Sequence, residues 1–157
     1  MGDISDIAEA AKSTASGLNI LNPEFLPSAA TINKVTAFDF FMNSGKDAEE
    51  AILHMRGIDF SQPVSVTTLD AGTILEQYIK WGRKAGNYFS MPGANPLELG
   101  IGDAVTRDAT LFRSTEPVTA LQTTASNFLY PDQVVVPWTG GGIQFYIPNK
   151  GAFSPIK

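Results

Sequence analysis

The spacing of apolar positions changes period part-way along the chain. In the first sixty residues it is helical. Ile4, Ile7, Ala8 and Ala11 recur at helix spacing as far as Gly17, after which Pro23 and Pro27 impose a non-helical connection. A second helix is predicted over residues 31–44, with Ile32, Val35, Phe38 and Met42 on one stripe and Gly45 as its C-cap. A third is predicted over residues 47–56. Asp47 and Glu50 stand at capping-box spacing, Ala48, Ala51, Ile52 and Met55 form the apolar face, and Gly57 closes it. Beyond residue 60 the period shortens to two. Val64-Ser65-Val66-Thr67 alternates as a half-buried strand does, Asp70-Ala71-Gly72 supplies a turn, and residues 73–79 form a second strand. Short strands are expected around residues 110–112 and 134–136. The strongest is Ile143-Gln144-Phe145-Tyr146-Ile147, entered by Gly140-Gly141-Gly142 and stopped by Pro148. Alternation puts Ile143, Phe145 and Ile147 on its core face and Gln144 with Tyr146 on the other.

This pattern predicts an α+β chain: a helical N-terminal segment, residues 1–60, followed by a compact antiparallel β-rich domain, residues 61–157. A length of 157 residues suffices for one domain with a real core. Charge reinforces the division. The net charge is −5. Residues 1–65 carry four basic and nine acidic side chains, whereas residues 66–157 carry seven of each. An acidic chain of this kind is not expected to bind nucleic acid, because phosphate contacts demand a basic surface. With no cysteine and one histidine, His54, the chain has no disulfides, no thiol nucleophile and no Cys/His zinc site. No segment has signal-peptide character, and none approaches the roughly 20 apolar residues of a membrane span. Stable membrane insertion is therefore not expected, and a secretion signal would lie elsewhere in a larger exported protein.

The common catalytic patterns are absent. His54 has no serine or carboxylate arranged with it as a triad, and reads as a solvated or half-buried helix histidine. The clusters Asp3, Asp6, Glu9 and Asp47, Glu49, Glu50 lack calcium-loop spacing and read as solvated helix faces, so no metal is expected. There is no P-loop, and Gly100-Ile101-Gly102 begins a dinucleotide fingerprint that lacks its third glycine. Two segments carry more information. The triplet Gly140-Gly141-Gly142 lets a ligand or another backbone approach closely. Gln144 then either lines a cleft or lies on the surface beside an ordinary turn. The segment from Gly82 to Ser90 places Arg83 and Lys84 beside Tyr88-Phe89. Guanidinium suits phosphate and an aromatic face suits a flat cationic ring. Equally, the segment is a hairpin with solvated cations and core aromatics.

In order and spacing, the runs from Val66 to Tyr78, Gly86 to Ser90, Pro96 to Ile101, Val118 to Leu121 and Gly140 to Phe145 resemble the C-terminal toxin domains of bacterial polymorphic toxins. These domains end contact-dependent inhibition, Rhs and type VI effectors. The chain is most similar to their type 46 group and more distantly to the tuberculosis necrotizing toxin group. The resemblance implies an ADP-ribosyltransferase-like fold and a hydrolase that splits NAD⁺ or NADP⁺ into nicotinamide and ADP-ribose or its 2′-phosphate. The dinucleotide would be substrate, with no cofactor. It further implies that Gln144 is an active-site glutamine, and that Gln77 stands where the necrotizing-toxin pattern has an arginine. Arg83, or else Arg107 or Arg113, would then serve the pyrophosphate. Tyr88, Phe89 and Ser90 would line the nicotinamide pocket, with Gly142 beside it. The expected setting is a monomer, secreted or displayed as part of a larger effector, acting in the target-cell cytoplasm and neutralised by a cognate immunity protein. Protein-modifying relatives carry a Glu two residues after the third-motif residue. Here that position is Tyr146, which favours water over a protein acceptor. The alternatives are an ADP-ribosyltransferase toxin and a non-enzymatic interaction domain.

Overall fold

A computed structural model describes residues 28–129 and 134–156. The expected first helix near residues 4–17, with its acidic cluster, lies outside them. Two helices and nine strands follow in chain order: α1 (Ala29–Asn43), α2 (Ala48–Met55), β1 (Ser65–Leu69), β2 (Ile74–Lys80), β3 (Tyr88–Ser90), β4 (Arg107–Ser114), β5 (Val118–Thr124), β6 (Phe128–Leu129), β7 (Val134–Val135), β8 (Ile143–Tyr146) and β9 (Phe153–Pro155). The architecture is α+β.

Both helices start where their caps dictate. Ser28 accepts from the Thr31 amide at the start of α1. Asp47 and Glu50 form the capping box of α2, with the Glu50 amide 2.8 Å from Asp47 Oδ1. Ser44 caps α1, and the chain then turns through Gly45 at φ +100°. The buried face of α1 differs from the expected stripe: Val35, Ala37, Phe38 and Phe41 are buried, whereas Ile32 and Met42 are 47% and 39% exposed. The run Phe38 to Met42 is apolar on more than one side, so its spacing leaves the face open. The sheet selects Phe41, whose ring meets Tyr146 at 4.9 Å and His54 at 5.1 Å.

Seven strands form one sheet in the order β1-β5-β8-β3-β2-β4-β9, every neighbour antiparallel. The sheet is laddered unevenly. β2 and β4 share seven register pairs, but β2 and β3 share one, Glu76 with Ser90. The sheet is thus two well-bonded halves, β1-β5-β8-β3 and β2-β4-β9, joined at a single point. β5 is a strand that the sequence pattern did not announce. It is an interior strand covered on both faces, so its apolar and polar residues do not alternate cleanly: Val118, Ala120, Leu121, Thr123 and Thr124 are all buried.

β8 shows the same effect. Phe145 and Ile147 face a core with Leu75, Phe89, Phe112, Val118, Ala120, Ala152 and Phe153. Tyr146 faces a second core, built by Ala37, Phe38, Phe41, Ala51, Met55, Ile58 and Leu121. The expected alternation is present, but the face carrying Gln144 and Tyr146 is also covered, here by the helices. Ile143, expected in the core, is 41% exposed at the strand's mouth. The helical pair and the sheet therefore share a continuous apolar interface. Among the described residues no helix is long and apolar enough to cross a membrane.

Candidate functional site

Where β2 and β3 part, a cleft of about 750 Å³ opens. Its walls come from the end of α2, from β2, from the β2–β3 connection, from β3, from residues 99–101 and from Gln144 of β8. The split persists because a side chain, not backbone, spans it. Gln77 Nε2 donates to the carbonyls of Gly86 (2.9 Å) and Tyr88 (2.6 Å), and its Oε1 accepts from the Gly86 amide (2.9 Å). The amide replaces ladder hydrogen bonds that the diverging strands cannot make, and both polar atoms of a 7% exposed side chain are used, in three hydrogen bonds. Gln77 is thus at the cleft and committed to holding its two sides.

Gln144 is differently placed. Its Nε2 donates to the Gly57 carbonyl just after α2 (3.0 Å), a contact 87 residues away in sequence. Its Oε1 accepts no hydrogen bond among the described residues. It lies beside Ser90 and Thr123 in register, and Ser90 Oγ reaches the Glu76 carbonyl at 3.4 Å. This is a nearly buried amide, oriented from behind, on the cleft wall.

The glycine triplet serves backbone contact. Gly140 adopts φ +87°, and a Cβ there would lie 2.4 Å from the Ser126 carbonyl oxygen. A Cβ on Gly142 would lie 2.9 Å from the Glu98 carbonyl oxygen, whose partner is the Gly142 amide. Close approach of another chain segment, one of the two uses open to these glycines, is present at Gly140 and Gly142. Gly142 itself does not line the cleft, but the loop it holds presents Leu99 to it.

Tyr88 and Phe89, expected to line one pocket together, are separated by strand alternation. Tyr88 faces the cleft and the helices. Phe89 is 2% exposed and its ring stacks on Phe153 (4.8 Å) in the opposite core, so it borders the cleft from behind. The cations divide as well. Arg83 and Lys84 are exposed on the cleft rim and make no ion pair among the described residues. Arg107 also lines the cleft but is engaged: Nε lies 2.7 Å from Asp103 Oδ1, and Nη1 donates to the Tyr78 carbonyl. Lys80 Nζ completes the cluster 3.4 Å from Asp103. The hydrogen bond from Arg107 holds the Asp103 carboxyl below its usual range; partial burial opposes the shift, and the Arg107 charge and Lys80 add to it. Arg113 is not brought to the cleft. It sits exposed on β4, opposite Ile74 and Ser154.

His54 is a residue whose helix pattern concealed its place. It lines the cleft, half-buried, with Nδ1 2.5 Å from the Tyr88 hydroxyl. Burial, and then the charge of Lys46, lower its pKa from 6.5 to about 4. The only sequence signal for it was its uniqueness. Tyr78, also on the cleft wall, is pushed upward by burial and then by Glu76, and its hydroxyl donates to the Ala94 carbonyl.

Comparison with known proteins places this geometry. The chain is 34% identical over 134 residues to "NAD(P)(+) glycohydrolase toxin Tse6" of Pseudomonas aeruginosa, a match covering 77% of this chain and 31% of that protein. The chain thus spans about a third of the curated relative's length. A solved structure of Tse6 in complex with Tsi6 superposes with a TM-score of 0.70 at 30% identity, covering 83% of this chain and 98% of that one. A solved structure of Rhs1-CT in complex with its cognate immunity protein RhsI1 matches at a TM-score of 0.45 and 15% identity, covering 61% and 79%. Residues 29–153 match the family model described as bacterial toxin 46. The helical pair, the cleft and the sheet up to the start of β9 fall within that match, and the chain belongs to the bacterial toxin 46 family.

Proposed function

We propose that this chain is the toxic domain of an antibacterial effector and hydrolyses NAD⁺ or NADP⁺ to nicotinamide and ADP-ribose or its 2′-phosphate. One observation carries the reading. A single cleft gathers an oriented amide (Gln144), an aromatic wall (Tyr88), a buried hydroxyl (Ser90) and two cations that form no ion pair among the described residues (Arg83 and Lys84), in a chain 34% identical to an NAD(P)⁺ glycohydrolase toxin. The parted sheet supports an ADP-ribosyltransferase-like fold, with the dinucleotide lying across the split.

The bond to nicotinamide already has a cationic leaving group. As it breaks, nicotinamide departs neutral and positive charge develops on the ribose, as in glycoside cleavage. Water adds at that carbon and loses its proton to solvent. What the protein must supply is placement and electrostatics. Gln144 Oε1 is the acceptor for a ribose hydroxyl or for the attacking water, its angle fixed by the bond to Gly57. Arg83 and Lys84 hold the pyrophosphate, since Arg107 is shared with Asp103. Gln77 keeps the cleft at its width. The position two residues after Gln144 is Tyr146, 4% exposed and packed on Phe41. It offers no carboxylate to activate a protein acceptor, which supports hydrolysis over transfer. His54 and Leu53 contribute to the wall, which supports reading residues 29–153 as one catalytic unit.

The chain would act in the cytoplasm of the target cell as the toxic part of a longer secreted protein. An immunity protein would protect the producing cell. Incubating the purified protein with each dinucleotide and following nicotinamide by chromatography tests the reading. Release from at least one is expected, and Gln144→Ala should lose it while keeping the fold. Folded wild-type protein that releases none from either overturns it.

A further inference from the structure

The hydrogen bond between His54 and Tyr88 takes no part in bond cleavage itself. It joins α2 to β3 across 34 residues of sequence, with the two rings nearly parallel at 16° and 5.5 Å between centroids. Behind them, Tyr146 lies 5.1 Å from Tyr88 and 5.6 Å from His54, and Phe41 lies 5.1 Å from His54. Four rings therefore brace one wall of the cleft, and Tyr88 is the member on β3 that reaches it.

We propose that His54 is a positioning residue: as a neutral hydrogen-bond acceptor it fixes the Tyr88 ring as the surface on which the cationic nicotinamide ring of the dinucleotide lies. The proposal rests on the glycohydrolase reading. Its logic is electrostatic. A pyridinium is drawn to the electron-rich face of an aromatic ring, and an imidazolium touching that ring would repel it. The groups facing His54 keep the imidazole uncharged. Lys46 approaches from the α1–α2 connection, with its ammonium 5.4 Å from the Tyr146 ring centre. Tyr88 faces it from β3 and Tyr146 from β8. No carboxylate pairs with it among the described residues. Burial and Lys46 act in the same direction. A neutral imidazole with its proton on Nε2 presents Nδ1 as an acceptor, and the tyrosine hydroxyl donates to it. With its hydroxyl so anchored, the ring cannot swing about its side-chain torsions without breaking that bond.

The test begins with wild-type nicotinamide release. If there is none, the glycohydrolase reading falls and the proposal with it. With an active wild type, His54→Leu and Tyr88→Phe should each lower kcat/KM by about tenfold, chiefly through KM. The double variant should be no worse than either single one. His54→Asn, whose amide oxygen can stand near the place of Nδ1, should recover most of the loss. Thermal melts of each variant allow rates to be expressed per folded protein. Wild-type kcat/KM in folded His54→Leu, multiplying effects in the double variant, or an Asn variant no better than Leu would each overturn the proposal. Nitrogen NMR of the wild type gives an answer independent of any variant, because the chain has one histidine. An unprotonated Nδ1 at pH 7 supports the proposal, and a protonated Nδ1 refutes it.

Discussion

Gln77→Leu should destabilise the fold, because in this structure Gln77 is a substitute for backbone pairing. The change keeps most of the side-chain volume and removes all three hydrogen bonds to Gly86 and Tyr88. Each neutral bond contributes about 1 kcal/mol net, and a donor left buried without a partner costs about 1–3 kcal/mol. The Gly86 and Tyr88 carbonyls border the cleft and can recruit water, which limits their share. The Gly86 amide loses its acceptor too, and as Gly86 is exposed it can also turn to water. A loss of about 2–4 kcal/mol follows, large against the 5–15 kcal/mol of an ordinary domain. Urea unfolding followed by circular dichroism would show the midpoint falling by about 1–2 M at a typical slope. Hydrogen exchange at Gly86 should quicken more than exchange across the seven-pair β2–β4 ladder, whose bonds the change does not touch. A Gln77→Leu protein with wild-type stability and unaltered Gly86 exchange would show that these bonds do not hold the two strands together. It would assign Gln77 to substrate contact alone.

Two further outcomes follow from the same geometry. The folded His54 has its pKa lowered to about 4 from 6.5, so the unfolded chain takes up that proton first. The stability held by the neutral imidazole is complete above pH 6.5 and is lost as pH falls from 6.5 towards 4. Between pH 7.5 and 5 this should amount to about 1 kcal/mol, allowing for the ring's partial exposure. His54→Phe should abolish that part of the pH slope in paired urea titrations, and an unchanged slope would contradict it. Gly140→Ala should lower Tm far more than Gly141→Ala. Both have positive φ, but an added Cβ meets the Ser126 carbonyl at 2.4 Å only at Gly140 and open space at Gly141. Strain costs about 1–2 kcal/mol at either site. The clash adds to it at Gly140 alone, and equal melting temperatures for the two variants would count against the packing described.

Local structure was largely legible along the chain. A capping box, a proline and a glycine act within a few residues, so the extents of α2 and β2 and the position of β8 follow from neighbouring side chains. The glycine triplet likewise announced a close approach, though not that the approaching group is the backbone of Ser126 and Glu98. What lay beyond reach depends on which segments become neighbours. β5 hid because a strand covered on both faces has no polar side to display. Phe41, and not Met42, turned inward on α1 because β8 and α2 supplied its partners. Arg83 and Arg113 look alike in sequence, yet one stands at the cleft and the other does not, since register puts Arg113 opposite Ile74, at the far end of β4 from the cleft-lining Arg107. Phe89 and Tyr88 are adjacent in the chain and belong to opposite cores. His54 meets Tyr88, Gln144 meets Gly57 and Gln77 bridges to Gly86 through strand order, register and helix packing, which no spacing along the chain encodes. Residue types and periods thus determined which elements form and which chemistries are excluded. The site arose only when a sheet joined at one register pair opened beneath the end of a helix.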